Sequence, residues 1–316
     1  MLNLRYHVVS LVAVFLALGI GVIVGVQVIN RGIVDQLRNR LDGVEKSDRK
    51  TRSDNDRLSS QLGTWNRFVD QGRTDLLAGQ LRNIPVLLVG VDGIDRRPVA
   101  DLRSQMVTAG ANVEGTLWLT DKLNVRNQAE ANALADALGI PQDTPDVVRA
   151  AAFSKLAGVL QGAGDPTGVI PALRLAGFLA YEAPPPSSSP TTTPPGPGTI
   201  PLAGTRTVLV SGAGARLDDD TMTMPFLLQL ALNGAPVVAA ESGQDTPGGR
   251  GVFVGLVQRQ PEMAARVSTV DDLESFIGQA AGVLAVRDAG KQPPGHYGVG
   301  PAAQRLVPEP TTVPTP

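Results

Sequence analysis

Residues 8–29 read VVSLVAVFLALGIGVIVGVQVI, 22 positions without a charge and interrupted only by Ser10, Gln27 and three glycines. As a helix rising about 1.5 Å per residue, such a run reaches about 33 Å, enough to cross a hydrocarbon core of about 30 Å. It is longer than the apolar region of a secretory signal peptide, and no A-x-A-like cleavage site follows it, so an uncleaved membrane helix is expected. Everything after it must then fold while tethered to one membrane surface. The run also accounts for part of an unusual composition: 18% charged and 42% hydrophobic residues in 316 positions, where soluble domains carry roughly 25% charge.

Directly after the anchor comes a polar stretch with a long-range period. Leu37, Leu41, Val44, Asp48, Thr51, Asn55, Leu58, Leu62, Trp65, Val69, Gly72 and Leu76 are spaced alternately by four and three, and no proline falls in residues 30–84. That spacing predicts a coiled-coil stalk over 31–82, with Asn55 at an a position of the kind that fixes register and three consecutive polar seam sites weakening the middle. One amphipathic helix packed on its own globular domain is the alternative. Within the anchor, Ala17, Gly21 and Gly25 form a small-xxx-small row on which two membrane helices can approach closely. Together these predict a homodimer joined through Ala17, Gly21, Gly25, Leu41, Asn55, Leu58, Leu62 and Trp65.

From Ile84 onward the pattern changes to short apolar runs alternating with helical periods. Strands are expected at 84–91, 112–119, 207–211, 235–240 and 252–257, and helices at 97–109, 126–138, 145–160 and 225–233. The stretch 270–285 should begin as a helix and can end as a strand. Alternation of this kind implies an α/β fold, a Rossmann-like open sheet with parallel pairing. Two Pro-rich segments interrupt it: 184–201 holds eight prolines and 308–316 holds four. They read as an extended insertion and a disordered tail. The expected order is therefore a tail 1–7, an anchor 8–29, a stalk 31–82, a single α/β domain 83–307 and the tail 308–316.

Chemistry is sparse. With 28 Lys+Arg against 30 Asp+Glu the net charge is −2, which argues against nucleic acid as a partner. There is no Cys, which removes disulfides, thiolate metal sites and cysteine nucleophiles. Ser211-Gly-Ala-Gly214 after a strand starts like a dinucleotide fingerprint, but its third glycine position is Leu217 and Asp218, Asp219 and Asp220 would repel a pyrophosphate. That triplet is better suited to capping a helix. Asp92 and Asp95, at the end of the first strand, lie where open sheets place ligands, yet lack a nearby His to complete an acid–base set and read as a solvated turn. One histidine beyond the anchor, His296, makes neither a triad nor a zinc site, so no catalysis is expected. For Cu(I), which prefers thioether and thiolate ligands, the weak candidates are Met222, Met224 and His296. No cofactor is called for by the residues themselves, and Met222 and Met224 also suit core packing.

The opening Leu4-Arg-Tyr-His-Val-Val-Ser-Leu-Val-Ala-Val-Phe-Leu-Ala-Leu-Gly-Ile-Gly21, together with Val267-Ser-Thr-Val-Asp-Asp-Leu273, Gly278–Val286 and Gly295-His-Tyr-Gly-Val-Gly300, resembles the actinobacterial MctB family, copper transport protein B, also called SteB. The resemblance covers the chain apart from the Pro-rich segments. It implies two roles: copper efflux and copper homeostasis through channel formation in the envelope, or a membrane-anchored regulator of cell separation that pairs with SteA and acts on peptidoglycan hydrolase control. A β-barrel pore would need at least eight alternating strands of about ten residues, and a lone helix encloses no channel without oligomerising. The expectation is thus a dimeric, non-enzymatic scaffold that binds a SteA-like envelope or division protein, with copper entering only through the resemblance. Arg5 on one side of the anchor and Arg31, Arg38 and Arg40 on the other do not favour export of the large domain. The resemblance and the Thr/Pro-rich segments favour a cytoplasmic N-terminus and an extracytoplasmic domain, the alternative being the outer membrane of a mycolate-type envelope.

Overall fold

The computed structural model describes residues 4–163, 166–184, 204–243, 252–300 and 303–309. Most of the Pro-rich insertion and of the C-terminal tail lies outside them. The chain divides into two compact units, Met1–Gln71 and Gly72–Pro316.

The first unit is helical throughout its described part. Helix α1 runs Leu4–Leu77, and its segment Arg5–Val26 has a mean hydropathy of 2.8 with none of it buried. That is long and apolar enough for a membrane anchor and overlaps the expected run at residues 8–26. Farther along, Glu45–Arg49 at 2.7 Å and Asp48–Arg52 at 2.9 Å are i,i+4 pairs with the acid N-terminal. That orientation supports an exposed helix by a few tenths of a kcal/mol per pair, on the order of 0.3–0.5. The helix ends five residues before the stalk was expected to end. A turn follows in which Gly79 has φ +74 and Asn83 φ +60, so residues 78–84 form a connector.

The second unit is a seven-stranded sheet with helices on both faces. Strands β1 (Pro85–Val91), β2 (Asn112–Leu119), β3 (Leu179–Glu182), β4 (Arg206–Gly212), β5 (Val237–Ser242), β6 (Ser268–Val270) and β7 (His296–Tyr297) lie in the order 3-2-1-4-5-6-7. All pairs are parallel except β2–β3. Strands on either side of the insertion meet at β1–β4, so the flanks build one sheet. Strand β1 is almost wholly apolar because helices cover both its sides. Leu87, Val89 and Val91 enter one cluster with α3 (Gln128–Leu138), α4 (Pro145–Val159), α5 (Pro166–Leu175), α6 (Met224–Leu232), α7 (Phe253–Arg259) and, through Met263, the short α8 (Pro261–Ala264). Val86 and Leu88 enter the other, with α2 (Arg96–Thr108), α9 (Phe276–Asp288) and Leu77 and Leu81.

Two expectations are corrected. Residues 253–259 are helix α7, not a strand: Phe253, Val254 and Val257 are buried, a helical spacing that a six-residue apolar run does not reveal. In the 270–285 stretch the order is reversed, with strand β6 first and helix α9 after it, started by Ser275, whose side chain accepts from Gly278 N.

Candidate functional site

In open α/β sheets ligands enter the crevice beyond the carboxyl ends of the strands, where the winding direction reverses. Here that point lies between β1 and β4, and the chain's own groups close it. A Cβ on Gly93 would stand 2.3 Å from the Gly214 carbonyl oxygen, and one on Gly214 would stand 2.8 Å from that of Gly93. Only glycines permit so close a backbone approach, and both have positive φ. Arg216 N donates to Asp92 O at 2.8 Å, Arg216 Nη1 to Asp92 Oδ2 at 2.9 Å and Arg96 Nη2 to Asp92 Oδ1 at 3.1 Å. Asp92 therefore has both carboxylate oxygens engaged. Asp95 caps α2 by accepting from Arg97 N at 3.0 Å. Beside this point Trp118 lies across Gly90, with Arg96 stacked 4.4 Å from its ring centroid and its Nε1 donating to Glu182 at 3.2 Å.

The fingerprint-like loop after β4 is also filled from within. Gly212 backs onto the Ser242 carbonyl, 1.8 Å from where a Cβ would sit, and Leu217 is buried. Asp218 caps the helical turn 219–223 through Thr221 N at 2.8 Å, the capping role expected of the triplet.

Next along the same edge stands a group of carboxylates that the sequence reading missed. Glu241 is 5% exposed and accepts from Val254 N at 2.8 Å. Burial, aided by the charges of Asp219, Asp271 and Glu274, pushes its carboxyl up to about 7. Asp219 accepts from Ser211 Oγ at 2.6 Å and is raised chiefly by burial. Glu274 Oε1 accepts from Ser242 Oγ at 3.0 Å and from Gly243 N at 2.5 Å. The one visible signal was Glu241 itself, an acid in the otherwise apolar strand VVAAES.

Asp271 explains the glycine-rich block at 295–300. Its Oδ1 accepts from Val299 N at 2.7 Å and its Oδ2 from Gly300 N at 2.9 Å. A Cβ on Gly298 would meet Oδ1 at 1.8 Å and one on Gly300 would meet Oδ2 at 2.4 Å, so both glycines make room for the carboxylate. Gly278 is likewise pressed against the Asp272 carbonyl. The blocks 267–273, 278–286 and 295–300 thus form one folded unit at the sheet edge.

The weak copper candidates have separate settings. Met222 and Met224 are each 3% exposed within the apolar cluster. His296 sits on β7 with Nδ1 2.9 Å from Thr269 Oγ1, and that oxygen accepts from Gln258 Nε2 at 2.9 Å. The hydroxyl thus bridges the amide and the imidazole, and burial holds the imidazole below its usual range. Among the described residues no three His, Asp or Glu side chains are placed to hold a metal ion. The residues expected to pair two copies, Ala17, Gly21, Gly25, Leu41, Asn55, Leu58, Leu62 and Trp65, all fall in the first unit, with Leu41, Leu58, Leu62 and Trp65 between 51% and 61% exposed.

The whole arrangement has known relatives. A family model described as copper transport outer membrane protein, MctB, matches residues 1–308. The proteins called copper transporter MctB in Mycobacterium tuberculosis and Mycobacterium bovis are each 27% identical to this chain, over 97% of it and 99% of their own length. The protein of that name in Mycobacterium leprae is 25% identical over the same shares. With the match extending from the apolar helix through the block that encloses Asp271, this chain belongs to the MctB family.

Proposed function

We propose that the chain is a membrane-anchored, non-enzymatic envelope protein whose α/β domain works by binding protein partners. Its anchor and stalk pair two copies, and its N-terminus is cytoplasmic while the domain lies outside the membrane. The observation that carries this reading is the closed crevice: where a sheet of this topology would take a small ligand, Gly93 meets Gly214 and Asp92 is held by Arg96 and Arg216. A SteA-like envelope or division protein is the partner class suggested by the family resemblance. Co-purification of such a protein with the detergent-solubilised chain, with and without residues 31–71, tests it. Binding that survives the deletion assigns the partner surface to the α/β unit and supports the reading, and recovery of a strict monomer with no partner defeats it. A C-terminal phosphatase fusion tests the orientation, since a cytoplasmic readout would overturn it.

The family name favours a second reading, copper homeostasis. Equilibrating the full chain with Cu(I) under reducing conditions, against a competing chelator, separates the two. Retained copper, or ion conduction in bilayers with altered copper tolerance and normal cell separation, would favour transport. Failure to retain Cu(I) would remove direct ligation while leaving an indirect effect on copper tolerance open to the scaffold.

A further inference from the structure

We propose that residues 303–309 are a detachable strap over the β7 edge, and that its release is coupled through Arg287 to the connector 78–84. Strand β7 has only two residues, and beyond it the chain returns alongside. Gln304 N donates to His296 O at 2.8 Å and Gly298 N to Arg305 O at 3.0 Å. Arg305 N reaches the same His296 carbonyl at 3.4 Å, and His296 N reaches Gln304 Oε1 at 3.5 Å. Of the strap's residues Pro308 is buried, whereas Gln304, Arg305, Leu306, Val307 and Glu309 are exposed, Leu306 by 55%. A segment secured by a few backbone bonds and one buried proline opens far more often than the sheet it covers. Opening uncovers the His296 carbonyl and the Gly298 N–H, the pair an edge strand offers to another chain.

Arg287, on α9, joins this strap to a distant part of the same unit. Its Nη2 donates to Glu309 O at 3.0 Å and its Nη1 to Gln80 Oε1 at 3.0 Å, while Asp288 holds the guanidinium through Nε and Nη2 at 2.7 Å each. One positioned side chain therefore ties the end of the strap to the connector, which is itself bonded to the end of α2 by Leu81 N to Ala109 O and Asn83 N to Gly110 O. Coupling of this kind is reciprocal: whatever frees one end loosens the other.

Hydrogen exchange on the full chain in detergent tests the proposal. The amides of Gln304 and Gly298 should exchange at least about 100-fold faster than those of Val208 and Val238 in the central strands. Gln80→Ala, which removes one surface amide and no core group, should speed Gln304 and Gly298 by about 3–10-fold while leaving Val208 and Val238 unchanged. Deleting 303–316 should speed Leu81 and Asn83 in return. Strap and central amides exchanging together would overturn the detachable strap. A strap that ignores Gln80→Ala, or a connector that ignores the deletion, would overturn the coupling.

Discussion

Replacing Glu241 with Gln should stabilise the α/β unit at alkaline pH and leave it nearly unchanged at acidic pH. In the folded chain the carboxyl is pushed from 4.5 up to about 7, first by burial and then by Asp219, Asp271 and Glu274. A raised folded pKa means that the folded state holds the proton more tightly than the unfolded state. Stability associated with the neutral form is thus complete below the unfolded value near 4.5 and is lost as pH rises through 7. At about 1.4 kcal/mol per pKa unit the loss comes to about 3 kcal/mol by pH 8. Gln keeps an oxygen to accept from Val254 N and carries no charge to desolvate. At pH 8 the variant should therefore gain up to about 3 kcal/mol, a rise of about 6–12 °C in Tm for a unit of this size, and at pH 4.5 the gain should vanish. Trp118 fluorescence during urea unfolding reads this unit alone if Trp65 is replaced by Phe, because these are the chain's only two tryptophans. A difference that stays constant from pH 4.5 to 8, or a variant less stable at pH 8, would refute the assignment of Glu241 as a buried, destabilising charge.

Three further substitutions probe the same unit. Gly298→Ala places a methyl group against Asp271 Oδ1 at φ +129 and should cost about 2–4 kcal/mol, measured by the same unfolding transition, since both sterics and backbone oppose it. Gly90→Ala puts its methyl 2.4 Å from the Trp118 ring. It should cost about 1–3 kcal/mol and shift Trp118 emission as the indole leaves its place between Arg96 and β1. Arg206→Met removes the buried guanidinium that donates to the Val286 and Arg287 carbonyls at the end of α9. A loss of about 1–3 kcal/mol is expected from the carbonyls left without a donor, with faster amide exchange at the last turn of α9 as the local readout.

Much of the α/β unit was legible from period and punctuation. Strand β2 occupies the expected 112–119, and α2 and α4 fall within a residue of their expected ends, because each is long, strongly patterned and bounded by Gly or Pro. The misread segment at 252–257 is short and wholly apolar, a case in which strand and helix leave the same trace in sequence. Strand β3 was missed because its burial comes from antiparallel pairing with β2 and not from an internal alternation, and β7 because two residues make no pattern. The edge was harder still. Asp92 looked like a lone carboxylate in a turn because its partner Arg216 is 124 positions away, brought close only by the β1–β4 crossover. Coiled-coil pairing belongs to a second helix, so a seam in one chain states only the capacity for it.

The residues that make the family recognisable are committed to holding the fold together. Asp271 spends both oxygens on Val299 and Gly300, Gly298 and Gly278 exist to let backbone and carboxylate approach, and His296 gives Nδ1 to Thr269. A block can therefore identify a family through the residues that hold its fold. The closed crevice and the exposed seam of α1 both favour surfaces, rather than an interior pocket, as the working parts of this protein.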